Sequence, residues 1–320
     1  MRTLTALLAA LMACGVSTAS AQQYPTRQIT LVVPFPAGGG NDALARLVAE
    51  RMSKTIGQQV IVENRGGAGG TVATRAIAKS PPDGHTILLS YTGTFAINPT
   101  LYPNAGYDPR KDFAPIGSIG TLTSVMVTHP SLPVRSTKEL IAHAKANPGK
   151  INYAFVPGTV GHISTEMFAT NAKINLTKIP YKGNGDAFAN LLGGHTQMMF
   201  ISILPVIGQI QAGKLNALAV ASPERSPLVP NVPTIAESGL PGFSAVISYG
   251  LAAPAGTPRA IVDRLNKELN VALADPALKK RLANEGGAIL SGTPDDYAKL
   301  IDSEEKKWAP LVKSLALKVE

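Results

Sequence analysis

The chain has 320 residues, of which 45% are hydrophobic and 16% are charged, and its formal net charge is +9. This length is sufficient for two domains of ordinary size. Lysine and arginine are scattered, without a run of five and without interleaved aromatic residues, so the charge does not indicate a nucleic-acid-binding protein. A mild positive field suits the attraction of small anions as well as solubility.

The first 21 residues have the pattern of a secretory signal peptide. Arg2 precedes a short apolar stretch, and residues 19–21 form an A-x-A cleavage site. Cleavage there also removes Cys14, the only cysteine, so the mature chain is predicted to be periplasmic and free of disulfides. An alternative is open, because residues 11–14 resemble a lipoprotein box that would anchor the protein through Cys14. No later segment is apolar for long enough to cross a membrane.

The first predicted strand, Ile29–Val33, leads through a loop of prolines and glycines into a helix. The strand is short and rich in β-branched residues. The glycines at 38–40 free the backbone, and Asn41 or Asp42 is predicted to cap the helix. A glycine-rich turn into a helix N-terminus presents free N–H groups that suit a carboxylate or a phosphate. A plain connection between strand and helix explains the same residues.

Strand, loop and helix alternate along most of the chain, which predicts an α/β fold with a parallel sheet. Further strands are predicted at 59–63, 86–90, 116–128, 151–156, 176–181, 197–203, 215–221 and 244–253. Further helices are predicted at 71–79, 136–147, 162–172, 187–192, 206–212, from 257, at 276–285 and at 293–315. The segment 98–115 is rich in Pro, Tyr and Asp and is predicted to be a surface loop.

The order of these elements predicts two lobes. The chain crosses to a second lobe within 116–128 and returns with the strand at 244–253, which assigns residues 22–122 and 246–320 to lobe 1 and residues 123–245 to lobe 2. Two crossings between a discontinuous lobe and an inserted one imply a hinge and a cleft. Open α/β sheets bind ligands outside the carboxyl ends of their strands, so the loops there are the candidate site.

Three candidate chemical sites are weak. Residues 67–72 follow a strand as a dinucleotide fingerprint does, but Val72 occupies the third glycine position and no acidic residue ends the next strand. His162 and Glu166 are four residues apart and form half a metal site at most, so His162 is interpreted as a polar loop residue. An exported hydrolase that uses His162 or Asp42 is a remote alternative, because no nucleophile, base and orienting group can be assembled. We therefore predict no enzyme, no cofactor and no metal.

A series of short motifs runs through almost the whole mature chain. They are PFPAGGGND at 34–42, VENR at 62–65, GAGG at 67–70, PDG at 82–84, AINP at 96–99, YDP at 107–109, DF at 112–113, ANPGK at 146–150, PYKG at 180–183, AGK at 212–214, VPT at 232–234 and APAGTP at 253–258. Each motif alone is unspecific, but their order and number are specific. By these motifs the sequence resembles the Bug receptors, the extracytoplasmic solute-binding proteins of tripartite tricarboxylate transporters.

The resemblance implies an α/β fold of the periplasmic binding protein type II-like class, with two lobes of mixed or parallel sheets, a two-strand hinge and a cleft. It implies capture of a small carboxylate and its delivery to membrane permease subunits. The alternative is a periplasmic receptor that presents the same ligand to a signalling protein. A monomer without nucleic-acid partners is expected.

The resemblance also implies which residues contact the ligand. In lobe 1 they are Phe35, Pro36, Ala37, Gly38, Gly39, Asn41, Asp42, Thr92, Gly93 and Thr94, and in lobe 2 they are Pro157, Gly158, Thr159, His162, Tyr181, Gly183, Ile201 and Ser202. Many relatives carry an aspartate after the phenylalanine that matches Phe200, where this chain has Ile201. An acidic side chain there could meet an ammonium group, so Ile201 favours a purely carboxylic or more apolar ligand over an amino acid.

Overall fold

The computed structural model of the chain describes residues 24–284, 287–315 and 317. The predicted signal peptide, its cleavage site after Ala21 and the alternative anchor at Cys14 lie outside the described residues. The strands are β1 (Ile29–Val33), β2 (Val60–Asn64), β3 (Thr86–Tyr91), β4 (Phe113–Thr128), β5 (Asn152–Phe155), β6 (Thr177–Pro180), β7 (Met198–Ser202), β8 (Asn216–Val220), β9 (Val246–Pro254) and β10 (Gly287–Ile289).

The helices alternate with these strands. They are α1 (Gly40–Ile56), α2 (Thr71–Ile77), α3 (Asn98–Leu101), α4 (Thr137–Ala146), α5 (Val160–Ala172), α6 (Asn184–Leu192), α7 (Ile207–Gln211), α8 (Arg259–Ala274), α9 (Pro276–Asn284) and α10 (Pro294–Ser314). Short turns of 3₁₀ helix lie at Ala68–Gly70 and Leu204–Val206, and a π-helical turn lies at Gly93–Ile97. Within the described ranges, none of the helices is both long enough and apolar enough to span a bilayer.

The strands form a mixed sheet in the order β2, β1, β3, β9, β4, β7, β5, β6, with β8 and β10 also paired to β4. Strand β1 runs parallel to β2 and β3, and strand β5 runs parallel to β6 and β7. The long strands β4 and β9 run antiparallel to each other. The predicted parallel arrangement is therefore confirmed at both ends of the sheet, and two antiparallel strands connect these ends.

The long strand β4 belongs to both halves of the sheet. Its residues from Phe113 to Thr123 pair with β9, and its residues from Ser124 to Thr128 pair with β7. The outer neighbours change as well, from β10 in the first half to β8 in the second. The fold is a mixed α/β fold of two lobes, because each half of the sheet carries its own helices.

Helix burial follows the sequence pattern where that pattern is periodic. Along α1, the apolar residues Leu44, Val48, Met52 and Ile56 recur at helical spacing and are buried. At the start of α4, the spacing Ser136-x-x-Glu139 is that of a capping box. The box is half formed, since the Ser136 side chain accepts from the Glu139 amide while Glu139 accepts from the Arg135 amide instead. Local periodicity and capping thus place these helices correctly.

The segment 98–115 was expected to be a surface loop, and this prediction is only partly correct: residues 102–112 form no helix or strand, but the two ends of the segment are regular and part of it is buried. It begins with α3 and buries Leu101, Ala105 and Tyr107. The Tyr107 hydroxyl donates to the Thr94 carbonyl oxygen at 2.6 Å, and its ring lies edge-on to Phe113. The apolar residues of this segment have no regular spacing, so their burial depends on tertiary contacts.

Two helix starts also differ from their prediction. The N-cap of α1 is Gly39 and not Asn41 or Asp42, and it has no side-chain cap. The helix that was predicted from 257 begins at Arg259, and the Thr257 hydroxyl donates to the Pro254 carbonyl oxygen and does not cap the helix. Both helices therefore begin without a side-chain acceptor, which is important for α1 because its N-terminus lies at a cavity.

Candidate functional site

A cavity between the two lobes has two chambers that share Phe35, Asn41 and Asn184 at their border. The outer chamber has a volume of about 220 Å³, and the inner chamber has a volume of about 30 Å³. The outer chamber is lined by Phe35, Pro36, Ala37, Gly38, Gly39, Gly40, Asn41, Lys182, Gly183, Asn184, Gly185 and Asp186. The inner chamber is lined by Phe35, Asn41, Tyr91, Ser124, Thr159, Val160, Gly161, Asn184, Phe200, Ile201, Ser202, Ile247 and Tyr249.

Three helix N-termini converge on this cavity. The N-caps of α1, α5 and α6 are Gly39, Thr159 and Gly183, and each lines one of the chambers. The first N–H groups of a helix have no partner within the helix, and they carry the positive end of its dipole. The Thr159 hydroxyl accepts from the His162 amide, whereas α1 and α6 have no side-chain cap. The cavity is therefore polarised for an anion by backbone groups.

The loop between β1 and α1 is held in place by side chains behind it. The Asp42 carboxylate accepts from the Gly38 amide at 3.0 Å and pairs with Arg46. Burial raises the pKa of the Asp42 carboxyl, but the hydrogen bonds from Arg46 and Gly38 outweigh this effect and lower the pKa below its usual range. Asn64 donates to the Phe35 carbonyl oxygen at 3.2 Å. Asp42 thus fixes the loop without lining the cavity.

Aromatic side chains form one wall of the inner chamber. The ring of Phe35 lies edge-on to Tyr91, and Tyr91 stacks on Tyr249 with ring centroids 6.1 Å apart. The Tyr249 hydroxyl donates to the Asn41 side-chain oxygen at 2.6 Å. Burial raises the pKa of both tyrosine hydroxyls, so they remain protonated donors at neutral pH. This bond leaves the Asn41 amide nitrogen available to donate to a ligand.

The floor of the inner chamber lies where β4 changes partners. Ser124 on β4 is opposite Ser202 on β7, and paired residues of neighbouring strands share a face of the sheet. The Ser124 hydroxyl is buried without a hydrogen-bond partner among the described residues. Because buried hydroxyls normally have partners, this one is suited to a polar group of a ligand.

Apolar residues complete the inner chamber, and the charged residues lie in the outer one. Phe200, Ile201 and Ile247 line the inner chamber, and none of its described lining residues is Lys, Arg, Asp or Glu. The outer chamber has Lys182 and Asp186, which are exposed and opposite in charge. The inner chamber therefore provides no carboxylate for an ammonium group.

The structure brings together many of the residues predicted to contact a ligand. Those that line the cavity are Phe35, Pro36, Ala37, Gly38, Gly39, Asn41, Thr159, Gly183, Ile201 and Ser202. Those that lie outside its lining are Asp42, Thr92, Gly93, Thr94, Pro157, Gly158, His162 and Tyr181. The loop after β1 and the end of β7 therefore lie at the cavity, whereas the turn after β3 lies behind it.

The turn after β3 contacts the C-terminal helix α10. The Thr92 hydroxyl donates to the Glu304 carboxylate at 3.0 Å and accepts from the Ser248 amide at 2.9 Å. The Thr94 hydroxyl donates to the Tyr91 carbonyl oxygen. Both hydroxyls therefore form hydrogen bonds within the protein, and these bonds help to hold Tyr91, a wall residue of the cavity, in position.

His162 is a buried residue in the first turn of α5 and not the polar loop residue that was expected. Its ring stacks on Phe155 with centroids 4.4 Å apart. Burial lowers the pKa of His162 to about 4, although the Glu166 carboxylate opposes this shift. Glu166 itself accepts from Tyr153 and pairs with Lys178 at 2.8 Å, so it is not free to bind a metal with His162.

We expect His162 to make folding stability depend on pH. Since its pKa is about 4 in the folded state and 6.5 in the reference state, the unfolded chain binds more protons between these values. Stability is therefore complete above pH 6.5 and falls as the pH falls towards 4, by about 2 kcal/mol at pH 5. Urea unfolding at several pH values should show this loss in the wild type and less of it in His162→Phe. Equal profiles for wild type and His162→Phe would contradict the prediction.

Several cavity residues were not predicted from the sequence. They are Tyr91, Ser124, Asn184, Gly185, Asp186, Phe200, Ile247 and Tyr249, whereas Gly40, Val160, Gly161 and Lys182 belong to loops that the resemblance had placed at the ligand. Those at the start of α6 are adjacent to the predicted residue Gly183, and a helix start without a capping side chain could have indicated them. Ser124, Ile247 and Tyr249 lie within long strands, and no local signal distinguishes them from core residues.

The comparisons with known proteins identify the class. The sequence profile of the tripartite tricarboxylate transporter family receptor, TctC, matches residues 44–317. The chain belongs to this family, which consists of solute-binding receptors and not of enzymes. It has the two-lobed fold of periplasmic binding proteins, as the resemblance implied.

Particular relatives cover nearly the whole chain. The protein in the tcbD-tcbE intergenic region of Pseudomonas sp. strain P51 is 41% identical over 90% of this chain and 86% of its own length. Protein BugT of Bordetella pertussis is 38% identical over 94% of this chain and 93% of its own length. The resemblance to the Bug receptors is thus confirmed.

Solved structures show the same fold. The periplasmic binding protein BugD has a TM-score of 0.88 and 38% identity, and the match covers 93% of this chain and 100% of BugD. Rpa4515 of R. palustris, solved with adipate, has a TM-score of 0.88 and 35% identity over 92% of this chain and 99% of its own. MatC of Rhodopseudomonas palustris, solved with malate, has a TM-score of 0.86 and 34% identity over 90% of this chain and 100% of its own.

Proposed function

We propose that this receptor captures a small carboxylate between its lobes and delivers it to the permease subunits of a tripartite tricarboxylate-type transporter. The observation that carries this proposal is the convergence of the N-termini of α1, α5 and α6 on one cavity. Such N-termini bind carboxylates without a charged side chain. A ligand that contacts both lobes favours the closed form, and the permease recognises that form.

The inner chamber supports a ligand without an ammonium group. Ile201 lies there among neutral side chains, and Ser124 offers an unpaired hydroxyl. A dicarboxylate or hydroxycarboxylate fits these groups, because its first carboxylate has the helix N-termini and its other polar group has the two serines. The relatives solved with adipate and malate hold ligands of this class.

The proposed ligand site consists of the predicted residues that line the chambers, together with Asn184, Ser124 and Tyr249. The proposed lobe boundaries are those of the sequence, residues 22–122 with 246–320 and residues 123–245. Their support is the change of partners of β4 between Thr123 and Ser124. Export through a cleaved signal at residues 1–21 is part of the proposal, and the monomeric state stays a prediction.

Thermal unfolding of the chain from Gln22 onward tests the ligand class. The panel contains acetate, malate, adipate, citrate, aspartate and benzoate, with 1,6-hexanediol as the uncharged control for adipate. A ligand at about one hundred times its dissociation constant adds about 2.7 kcal/mol, which raises the Tm by roughly 5 °C. We expect a shift with at least one carboxylate that lacks an amino group, and no shift with the diol.

The protein is first unfolded and refolded to remove any ligand retained from the host. After that step, a panel without a shift would contradict the proposed carboxylate class. A shift with aspartate alone would instead contradict the inference drawn from Ile201.

A further inference from the structure

The two lobes touch each other outside the ligand cavity, through two glycines. Gly69 lies in the turn after β2, and Gly158 follows β5 in the other half of the sheet. Both lie outside the lining of the two chambers. We call the contact of Gly69 with Pro157 and Gly158 the glycine seam.

The seam has no space for a side chain. A Cβ atom at Gly69 would lie 2.3 Å from the Pro157 carbonyl oxygen and 3.2 Å from the Gly158 Cα. A Cβ atom at Gly158 would lie 2.5 Å from the Asn98 side-chain oxygen and 3.1 Å from the Tyr102 ring. Backbone therefore packs directly on backbone across the cleft, and any larger residue must push the lobes apart.

Polar groups of one lobe hold their side of the seam rigid. The Asn98 amide nitrogen donates to the Gly69 carbonyl oxygen at 2.9 Å and to the Thr71 hydroxyl at 3.1 Å. The Tyr91 hydroxyl donates to the Gly69 carbonyl oxygen at 3.0 Å, and the Gly158 carbonyl oxygen of the other lobe is 3.5 Å away. Because Asn98 and Tyr91 are buried, the turn at Gly69 cannot easily yield to a side chain at the seam.

We propose that the glycine seam is a closure element, which stabilises the closed arrangement of the lobes by contacts that do not involve the ligand. The seam brings two lobe surfaces into van der Waals contact beside the cavity and adds dispersion energy only when the lobes are closed. This role goes beyond ligand capture, because the seam sets the fraction of receptor molecules that are closed before any ligand binds. Ligand affinity scales with that fraction.

Distance measurement between two spin labels in the ligand-free protein tests the seam. The chain from Gln22 onward has no cysteine, so Lys79→Cys and Asn171→Cys place one label on an exposed position of each lobe. We expect Gly158→Ala and Gly69→Ala each to lower the ratio of closed to open molecules by about tenfold, as overpacking of a tight contact does.

Gly213→Ala is the matched control. Gly213 has a φ of +68°, close to the +76° of Gly158, but a Cβ atom there meets nothing within 4 Å. It therefore introduces the same backbone strain without a clash, and its distance distribution should equal that of the wild type. Equal distributions for wild type and Gly158→Ala would overturn the proposal, and so would a wild type with no closed population.

Should both seam variants fail to fold, hydrogen exchange of the wild type decides. In the ligand-free protein, the backbone amides of residues 67–71 and 157–160 should be protected from hydrogen exchange. Both segments should lose this protection in the same opening event, when the lobes separate. Independent exchange of the two segments would overturn the seam. Because neither measurement uses a ligand, failure here is distinct from failure of the proposed carboxylate binding.

Discussion

Replacement of Ile201 by aspartate is expected to weaken carboxylate binding by about 100-fold or more. Ile201 is 5% exposed and lines the inner chamber beside Ser202. A carboxylate at this position faces the ligand across a chamber of about 30 Å³, where water screens the charges poorly. Like charges brought together at a binding site cost several kcal/mol, and each 1.4 kcal/mol is tenfold in affinity. Calorimetric titration with the carboxylate that stabilises the wild type measures the effect.

Ile201→Asn is the matched control, because asparagine has nearly the shape of aspartate without its charge. It removes the same apolar contacts, so the difference between the two variants isolates the charge. We also expect Ile201→Asp, unlike Ile201→Asn, to gain affinity for the amino acid of the same carbon skeleton. Equal losses for the two variants would show that the ligand carries no negative charge near β7.

Replacement of Trp308 by alanine is expected to cost about 3–5 kcal/mol of folding stability. Trp308 is fully buried in α10, and its indole nitrogen donates to the Glu304 carboxylate at 3.1 Å. The substitution leaves a large cavity and removes one of the donors that hold Glu304 beside Thr92. Urea unfolding followed by far-UV circular dichroism measures the loss, since Trp308 is the only tryptophan and fluorescence is lost with it.

Two further variants distinguish cavity formation from general sensitivity. Trp308→Phe keeps most of the apolar volume and should show an intermediate loss. Val271→Ala removes methyl groups from a side chain that is 46% exposed and should change stability by about 0.5 kcal/mol or less. A loss below about 1 kcal/mol for Trp308→Ala would contradict the assignment of Trp308 to the core.

The sequence predicts those parts of the fold that depend on local patterns. The periodic apolar face of α1 and the β-branched residues of β1 are local, and both elements form where they were expected. Strand β10 has only three residues, and it was missed because its partner is the distant strand β4. The burial of Tyr107 was also missed, because it depends on a tertiary contact, in which its hydroxyl donates to the Thr94 carbonyl oxygen.

The candidate site was predictable where it consists of loops at helix starts. Residues from Phe35 to Gly39 line the cavity because they follow β1 and precede α1, which the glycine-rich motif indicates. Ser124 and Tyr249 could not be predicted, because each lies within a continuous strand and no local signal shows that its side chain lines the cavity. Many relatives have an aspartate where this chain has Ile201, and the structure places Ile201, a residue that the resemblance already put at the ligand, in the lining of the inner chamber.

A crystal structure of the receptor with the carboxylate that gives the largest thermal shift would show directly where the ligand binds. We expect the ligand between the lobes, with one carboxylate within roughly 2.7–3.2 Å of N–H groups at the starts of α1, α5 or α6. We also expect a polar group of the ligand at the Ser124 hydroxyl. A ligand bound outside the two chambers, or held there by Lys182 alone, would contradict the proposed carboxylate site.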